Sequence, residues 1–180
     1  FNWYKTGVLN NSVDKGGVSA SEGILLGLVR ELDNPVNVAQ GFTVADVKAA
    51  LPPQGVLDIN GFIPDYANAQ ATTNRNSNDN DTQDFTSKGL EFEVAYNPTP
   101  HWTMLLSVSK QQTVTSNTYP VLQRYVKDFV LPTWVNSAFA KKYVISDISG
   151  QTLAQVAQAT IVDPVLQAIT EDGNPAKEER

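Results

Sequence analysis

Three consecutive segments decide the fold: SKGLEFEVAY at 87–96, NPTPH at 97–101 and WTMLLSVSKQQ at 102–112. Apolar and polar residues alternate in the first segment, and the alternation returns in the third after two prolines. Side chains of a strand point alternately to its two faces, and proline cannot donate to a sheet ladder. The pattern therefore predicts an antiparallel hairpin of two strands, each of about ten residues.

Each predicted strand has one apolar face and one largely polar face. The apolar residues are Leu90, Phe92, Val94, Tyr96, Trp102, Met104, Leu106 and Val108; the polar ones include Glu91, Glu93, Thr103 and Ser107. One face of such a hairpin must contact apolar surroundings and the other must contact water. A soluble β-sandwich provides both environments, and so does a lipid bilayer. Tyr96 and Trp102 flank the turn on the apolar side, where a membrane barrel carries aromatic residues. The pattern alone favours barrel and sandwich about equally.

Helical periodicity precedes the hairpin. Ser19 and Glu22 have the spacing of a capping box, and an apolar helical face follows them until Pro35. Thr43 and Asp46 have the same spacing before a second short helix. Because a capping box satisfies free backbone groups at a helix start, we predict helices beginning at Ser19 and Thr43.

Helical periodicity also follows the hairpin. Pro120 suits the first turn of a helix, and we expect that helix to end before Pro132 because proline disrupts a helix interior. Two further short helices are predicted near 153–161 and 164–169. All these helices are amphipathic, so they must pack on something.

The polar stretch from Ala69 to Asp84 is predicted to be a mobile, solvated loop, because nothing in it can offset the entropy of ordering by burial. Its acidic part, 79–84, has a weak likeness to a calcium loop. The spacing differs from an EF-hand, since Gln83 and Asp84 stand where Asp or Asn and then Gly are needed. We interpret 79–84 as solvated loop rather than as a metal site.

Composition excludes several classes of function. The 180 residues hold 13 Lys and Arg against 19 Asp and Glu, a net charge of −6 without a basic run, so we expect no nucleic-acid partner. There is no cysteine and only one histidine, His101, which excludes disulfides, thiolate sites and two-histidine zinc sites. No catalytic motif is visible, so we predict no enzymatic activity, no catalytic residue, no metal and no cofactor.

The hairpin resembles a known family. "S-K-G-L-E-F-E-V" at 87–94, followed by "N-P-T-P-H-W" at 97–102, is similar to the strand, periplasmic turn and strand that recur in the barrel of TonB-dependent outer-membrane receptors. The similarity covers roughly Asp84 to Lys110, and both halves occur in the family's order and spacing. It implies a mainly β membrane-barrel fragment with short α-helices in long loops, α+β by content.

The resemblance implies a topology for the whole chain. Residues 1–8 would be a partial strand, 9–86 an extracellular loop with short helices, 87–112 a transmembrane hairpin with a periplasmic turn at 97–101, and 113–180 a second, helical extracellular loop. Glu91, Glu93, Thr103 and Ser107 would face the lumen, and the eight apolar residues the lipid. We expect the chain to be a piece of a longer protein, since its ends show no structural start or stop.

Function and partners follow from the same resemblance. The family binds scarce solutes at the bacterial outer membrane and imports them with energy from the TonB complex. The implied partners are outer-membrane lipid, the rest of the barrel and its plug domain, the TonB complex through that plug, and an unidentified small solute. The alternative is a soluble secreted or periplasmic α+β ligand-binding module, in which the helices cover the apolar strand face.

Overall fold

The structure, a computed structural model, describes residues 2–14, 16–74, 80–145 and 150–171. Its strands are β1 (Asn2–Asp14), β2 (Ile63–Asp65), β3 (Gln70–Thr72), β4 (Asn80–Thr99), β5 (Trp102–Ser116), β6 (Val144–Ile145) and β7 (Gln151–Thr152). Its helices are α1 (Gly16–Arg30), α2 (Pro35–Ala39), α3 (Val44–Ala50), α4 (Gln54–Asn60), α5 (Pro120–Tyr125), α6 (Ala138–Lys142), α7 (Leu153–Ala157) and α8 (Asp163–Glu171). Helix exceeds strand, about 48% against 35%.

The largest sheet is antiparallel and three-stranded, in the order β1-β4-β5. The register pairs Val94 with Leu106 and Phe92 with Val108, so the predicted hairpin is present. β4 continues through Asn97 and Pro98 to Thr99, with a register irregularity there, and the turn itself is shorter than 97–101. The sheet thus forms one long ribbon with β4 in its centre.

The described residues on either side of β4 and β5 fold together into one helical body, which we define as 16–74, 117–145 and 150–171. Its core is a single cluster of buried apolar side chains drawn from both segments, among them Ile24, Leu28, Val47, Val130, Trp134, Leu153 and Ile161. Polar bonds join the segments as well: Trp134 Nε1 donates to the Ala50 carbonyl at 2.7 Å, and Ser21 Oγ lies 3.2 Å from Tyr125 Oη. The two predicted loops are therefore one packed unit.

Asp81 joins the sheet to this body. It lies near the start of β4, is buried, and its carboxylate accepts from the backbone N–H groups of Val121 at 3.3 Å and Leu122 at 2.8 Å. These are free donors in the first turn of α5, whose own N-cap residue, Tyr119, makes no side-chain cap bond. Asp81 therefore caps α5 from a distant part of the chain. Its negative charge also interacts favourably with the positive end of the helix dipole.

The fold class is α+β, as the content predicted, but the expectation of a mainly β chain is wrong. More residues are helical than extended, because the helices before and after the hairpin bury their apolar faces in a common core. The solvated-loop prediction is also wrong for the described part of 69–84. Gln70–Thr72 forms β3 because β2 provides its backbone partners. Asn80 already belongs to β4, because β1 and, from Asp84 onward, β5 provide backbone partners for this polar sequence. Asp79 lies outside the described residues.

Of the two predicted capping boxes, the structure confirms the one at Thr43 and contradicts the one at Ser19. The capping box of Thr43 and Asp46 is confirmed, with Asp46 Oδ2 accepting from Thr43 N at 2.8 Å. The capping box at Ser19 is wrong: Ser19 lies inside α1, and the Glu22 carboxylate accepts from the Thr73 hydroxyl instead. The helix begins at Gly16, upstream of the predicted cap.

The helix that begins at Pro120 confirms the predicted first-turn position, but it does not end before Pro132. After Tyr125 it continues as a π-helix, Val126–Val135, which contains Pro132. The wider turn of a π-helix relieves the clash between a proline ring and the preceding turn. The segments predicted at 153–161 and 164–169 are helical as well, as α7, a π-helical continuation Gln158–Val162, and α8.

Candidate functional site

The eight predicted apolar residues share one face of the β4–β5 hairpin, and we call them the apolar band. Direct cross-strand pairs join Tyr96 with Met104, Val94 with Leu106, and Phe92 with Val108. Every member is substantially exposed; Trp102, for example, is 57% exposed. No helix of the described chain covers this face, in contrast to what the soluble-module alternative requires. The apolar band is therefore a continuous exposed apolar surface, and such surfaces mark contact with a partner or a membrane.

The height of the band follows from strand geometry. From Trp102 to Lys110, the first charged residue on this face, the strand advances eight residues, or about 27 Å at ~3.4 Å each. A strand tilt of about 40° shortens this to roughly 20 Å along a membrane normal, close to the ~25 Å apolar belt of outer-membrane barrels. The dimensions therefore suit a hydrocarbon layer.

Trp3 completes the pattern at the other end of the band and was not recognised from the sequence. It pairs with Leu90 in the β1–β4 register, so its side chain lies on the same face, 66% exposed. Tyr96 and Trp102 border the band at the hairpin turn, and Trp3 borders it toward the helical body. Alternate residues of a strand share a face, so the position of Trp3 in β1 could have identified it. That position assigns a face only when the β1–β4 register is known.

The opposite face of the hairpin is polar. Glu93 pairs with Ser107 and Glu91 with Ser109, so the structure brings together three of the four candidate lumen-facing residues, and Thr103 lies on the same face of β5 by parity. Further along this face, Gln111 Nε2 donates to Ser87 Oγ at 3.1 Å, and Ser87 Oγ lies 3.3 Å from Thr113 Oγ1. The sheet is therefore two-faced over its exposed length.

Tyr4 packs against the backbone of β4 on this polar face. A Cβ built on its cross-strand partner Gly89 would lie 2.1 Å from Tyr4 Cζ, so the ring occupies the space that a side chain would fill. Gly89 is buried although both its neighbours in sequence are exposed. The glycine therefore allows an aromatic ring to lie flat across the central strand.

A second concave surface lies on the helical body, between the helix that begins at Pro120 and α8. Apolar side chains of Leu131, Val165, Leu166 and Ile169 line it together with Gln123, Arg124, Lys127 and Asp128. Its volume is about 490 Å³, the size of a small-ligand site. Burial of nearby Tyr125 raises the pKa of its hydroxyl far above the ordinary 10.0, a shift that the Ser21 bond only partly opposes.

Within the described ranges, no group of three or more His, Asp or Glu side chains could hold a metal ion. Asp81, part of the acidic stretch at 79–84, uses both carboxylate oxygens on backbone N–H groups of its own chain. Among the described residues, no helix combines the length and the apolar character needed to cross a membrane.

Comparisons with known proteins give no assignment. No family model matches the chain, and no curated protein or solved structure is significantly similar to it. Function must therefore be argued from the two-faced sheet, the helical body and the hairpin motif.

Proposed function

We propose that this chain forms part of the barrel wall and the extracellular surface of a TonB-dependent outer-membrane receptor, which binds a scarce solute and imports it. One observation carries the membrane part of the proposal: the apolar band is exposed along its full height, while the reverse face of the same strands is polar. Burying this band in lipid removes apolar surface from water and leaves the carboxylates on a wet face.

The placement of the helical body supports the same arrangement. It attaches to the end of the sheet remote from the hairpin turn, through Asp81 and through a backbone bond from Tyr119 N to Thr82 O at 3.0 Å. Membrane barrels have short turns at the periplasmic end and long segments outside. The hairpin turn is then periplasmic and the helical body extracellular, where it can contribute to solute binding.

The TonB-dependent part of the proposal depends on the hairpin motif at 87–102. Barrel geometry alone does not distinguish an energised importer from a passive pore, so the motif supplies this step. In the family, import depends on a plug domain and on the TonB complex; both are partners in the proposal, and the solute is left open between siderophore, vitamin and saccharide.

Fractionation of the native protein tests the location. We expect it to sediment with the outer membrane, to resist extraction by salt and high pH, and to dissolve in detergent. Sequencing of the complete reading frame tests the receptor assignment, because a plug domain should precede this segment. A protein released without detergent as a monodisperse, cooperatively melting monomer would contradict the membrane location.

The soluble ligand-binding module is the second candidate. The observation that favours it is the helical body, which has its own continuous core and the groove between α5 and α8. It leaves the exposed apolar band unexplained, so we place it second. The same fractionation separates the two candidates.

A further inference from the structure

We propose that Lys5, Lys88 and Lys110, together with Trp3, form a binding site for the phosphate group of anionic membrane lipids. The site lies at the rim of the apolar band nearest the helical body. The inference rests on the proposed membrane location and adds a specific lipid partner to it.

The sheet register brings the three lysines together. Lys5 and Lys88 are directly paired across β1 and β4, and Lys110 pairs with Leu90 one row nearer the hairpin turn. Directly paired side chains have Cβ atoms about 4.5–5.5 Å apart, and diagonal neighbours such as Lys88 and Lys110 lie about 7–8 Å apart. The three lysines therefore share one face of the sheet in adjacent rows, within reach of one bound anion.

The shape of the surface matches this reading. Trp3, Lys88, Leu90, Lys110 and Gln112 line a cleft of about 150 Å³, with the Gly89 backbone as part of its floor. Trp3 and Lys110 lie on either side of Leu90 in one row. The cleft thus combines two cations with an indole and one apolar floor residue, at the point where the band ends.

Among the described strand residues, no carboxylate lies beside the lysines on this face. Between this row and the hairpin turn, the face carries only the apolar band, and the nearest acidic side chain on it is Asp84, four residues beyond Lys88 on β4, or about 14 Å away. Glu91 and Glu93 lie on the opposite face. Like charges paired directly across strands are unfavourable, so an anion that binds between Lys5 and Lys88 removes a cost already present in the fold.

The position of the cleft selects a lipid among possible anions. It is continuous with the apolar band, so a molecule that fills both must carry acyl chains beside a phosphate. Lysine stems lie along apolar surface while their charged ends reach headgroup level, and indole rings prefer the same depth. A free phosphate would use only the charged part, and an acidic peptide would leave the band exposed.

The test compares lipids bound to the protein in neutral detergent. Short-chain phosphatidylglycerol and phosphatidylcholine are titrated, with Trp fluorescence and native mass spectrometry as readouts. We expect phosphatidylglycerol to bind more tightly, and the triple variant K5Q/K88Q/K110Q to bind it roughly 10- to 100-fold more weakly. The matched control is K48Q/K141Q/K142Q, which changes net charge equally on the helical body and should bind like the parent protein.

Three results would overturn the lipid site. They are equal affinity for the two lipids, an unchanged triple variant, or binding of inorganic phosphate as tight as that of phosphatidylglycerol. If the triple variant is misfolded by circular dichroism, the salt dependence of the parent protein decides: phosphatidylglycerol binding must weaken with added salt, and a flat profile refutes the site. Insertion into phosphatidylcholine vesicles without preference for the anionic lipid leaves the proposed function intact. Failure to insert into any vesicle refutes both.

Discussion

The apolar band and the core of the helical body use the same kinds of side chain in opposite ways. Trp134, in the body, is 0% exposed, donates its indole N–H to Ala50, and packs edge-on against Phe129 at 5.2 Å between ring centroids. Trp102, in the band, is 57% exposed and touches no such core. The body thus satisfies its own apolar surface, whereas the sheet presents its surface to something outside the described chain.

This difference shows where each region obtains its stability. The body gains free energy from burial within the chain. The band is exposed along its length, so it can gain this free energy only from another phase or partner. Asp81 and Thr82, near the start of β4, bond the sheet to the start of α5. Mutations should therefore act on folding in the body and on lipid contact in the band.

The largest effect should come from Trp134→Ala. Removing a fully buried aromatic side chain costs about 3–5 kcal/mol, enough to unfold a marginally stable domain. Trp102→Ala is the matched change in the band, and we expect it to alter the unfolding free energy of the body by less than about 0.5 kcal/mol. Chemical denaturation followed by circular dichroism measures both. Equal effects of the two changes would remove the distinction between core and band.

Leu106→Arg should be nearly as severe, but only for membrane assembly. A cation on the lipid face near the bilayer centre costs about 2–4 kcal/mol. The neighbouring change Leu105→Arg is the control, since Leu105 is equally apolar and 63% exposed but lies on the polar face. Assembly yield in the outer membrane measures the difference. If Leu105→Arg were the more damaging change, the two faces would be assigned in reverse.

Asp81→Ala should have a smaller effect, of about 1–2 kcal/mol, because the start of α5 loses its cap and a buried N–H loses its acceptor. Asp84→Ala is the control: Asp84 is partly exposed, and its carboxylate accepts a long bond, 3.4 Å from Asn117 Nδ2, which lies outside α5. Hydrogen exchange of the Val121 and Leu122 amides reports the loss locally. Unchanged protection of these amides in the Asp81 variant would show that the carboxylate does not hold the helix.

The smallest effect at neutral pH concerns Tyr125. Burial raises the pKa of its hydroxyl above the ordinary 10.0, so the folded state keeps a proton that the unfolded state releases. Stability from this group is therefore complete below pH 10 and is lost as the pH rises above it. Melting temperatures between pH 9 and 11 should fall in the parent protein and in Tyr119→Phe, but less in Tyr125→Phe. An identical pH dependence in all three proteins would contradict the burial of this hydroxyl.

Local patterns in the sequence predicted local features of the fold. The alternation of apolar and polar residues correctly predicts which side chains share a face from Leu90 to Val108. The capping-box spacing of Thr43 and Asp46 correctly predicts where a helix begins. Ser19 and Glu22 have the same spacing, but Ser19 lies within α1, and Glu22 bonds to Thr73, a residue about 50 positions later. A capping box competes with tertiary partners that a short sequence window does not contain.

Features that join distant segments were beyond such patterns. The local sequence around Asp81 predicts a loop, since its partners, Val121 and Leu122, lie about 40 residues later in the chain. The amphipathic patterns predict that the helices pack against apolar surface. They do not predict that the helices before and after the hairpin share one core. Trp3 and the three lysines became a candidate site only through the strand register.

The most direct test of the central claim is a cysteine scan of β5, because the chain contains no natural cysteine. Single cysteines from 103 to 109 are labelled with a nitroxide, and collisions with lipid-soluble oxygen and with a water-soluble nickel chelate are compared in the outer-membrane-assembled protein. We expect lipid contact at positions 104, 106 and 108 and water contact at 103, 105, 107 and 109. Uniform water contact along the strand, or lipid contact at the odd positions, would contradict the proposal that the apolar band faces the membrane.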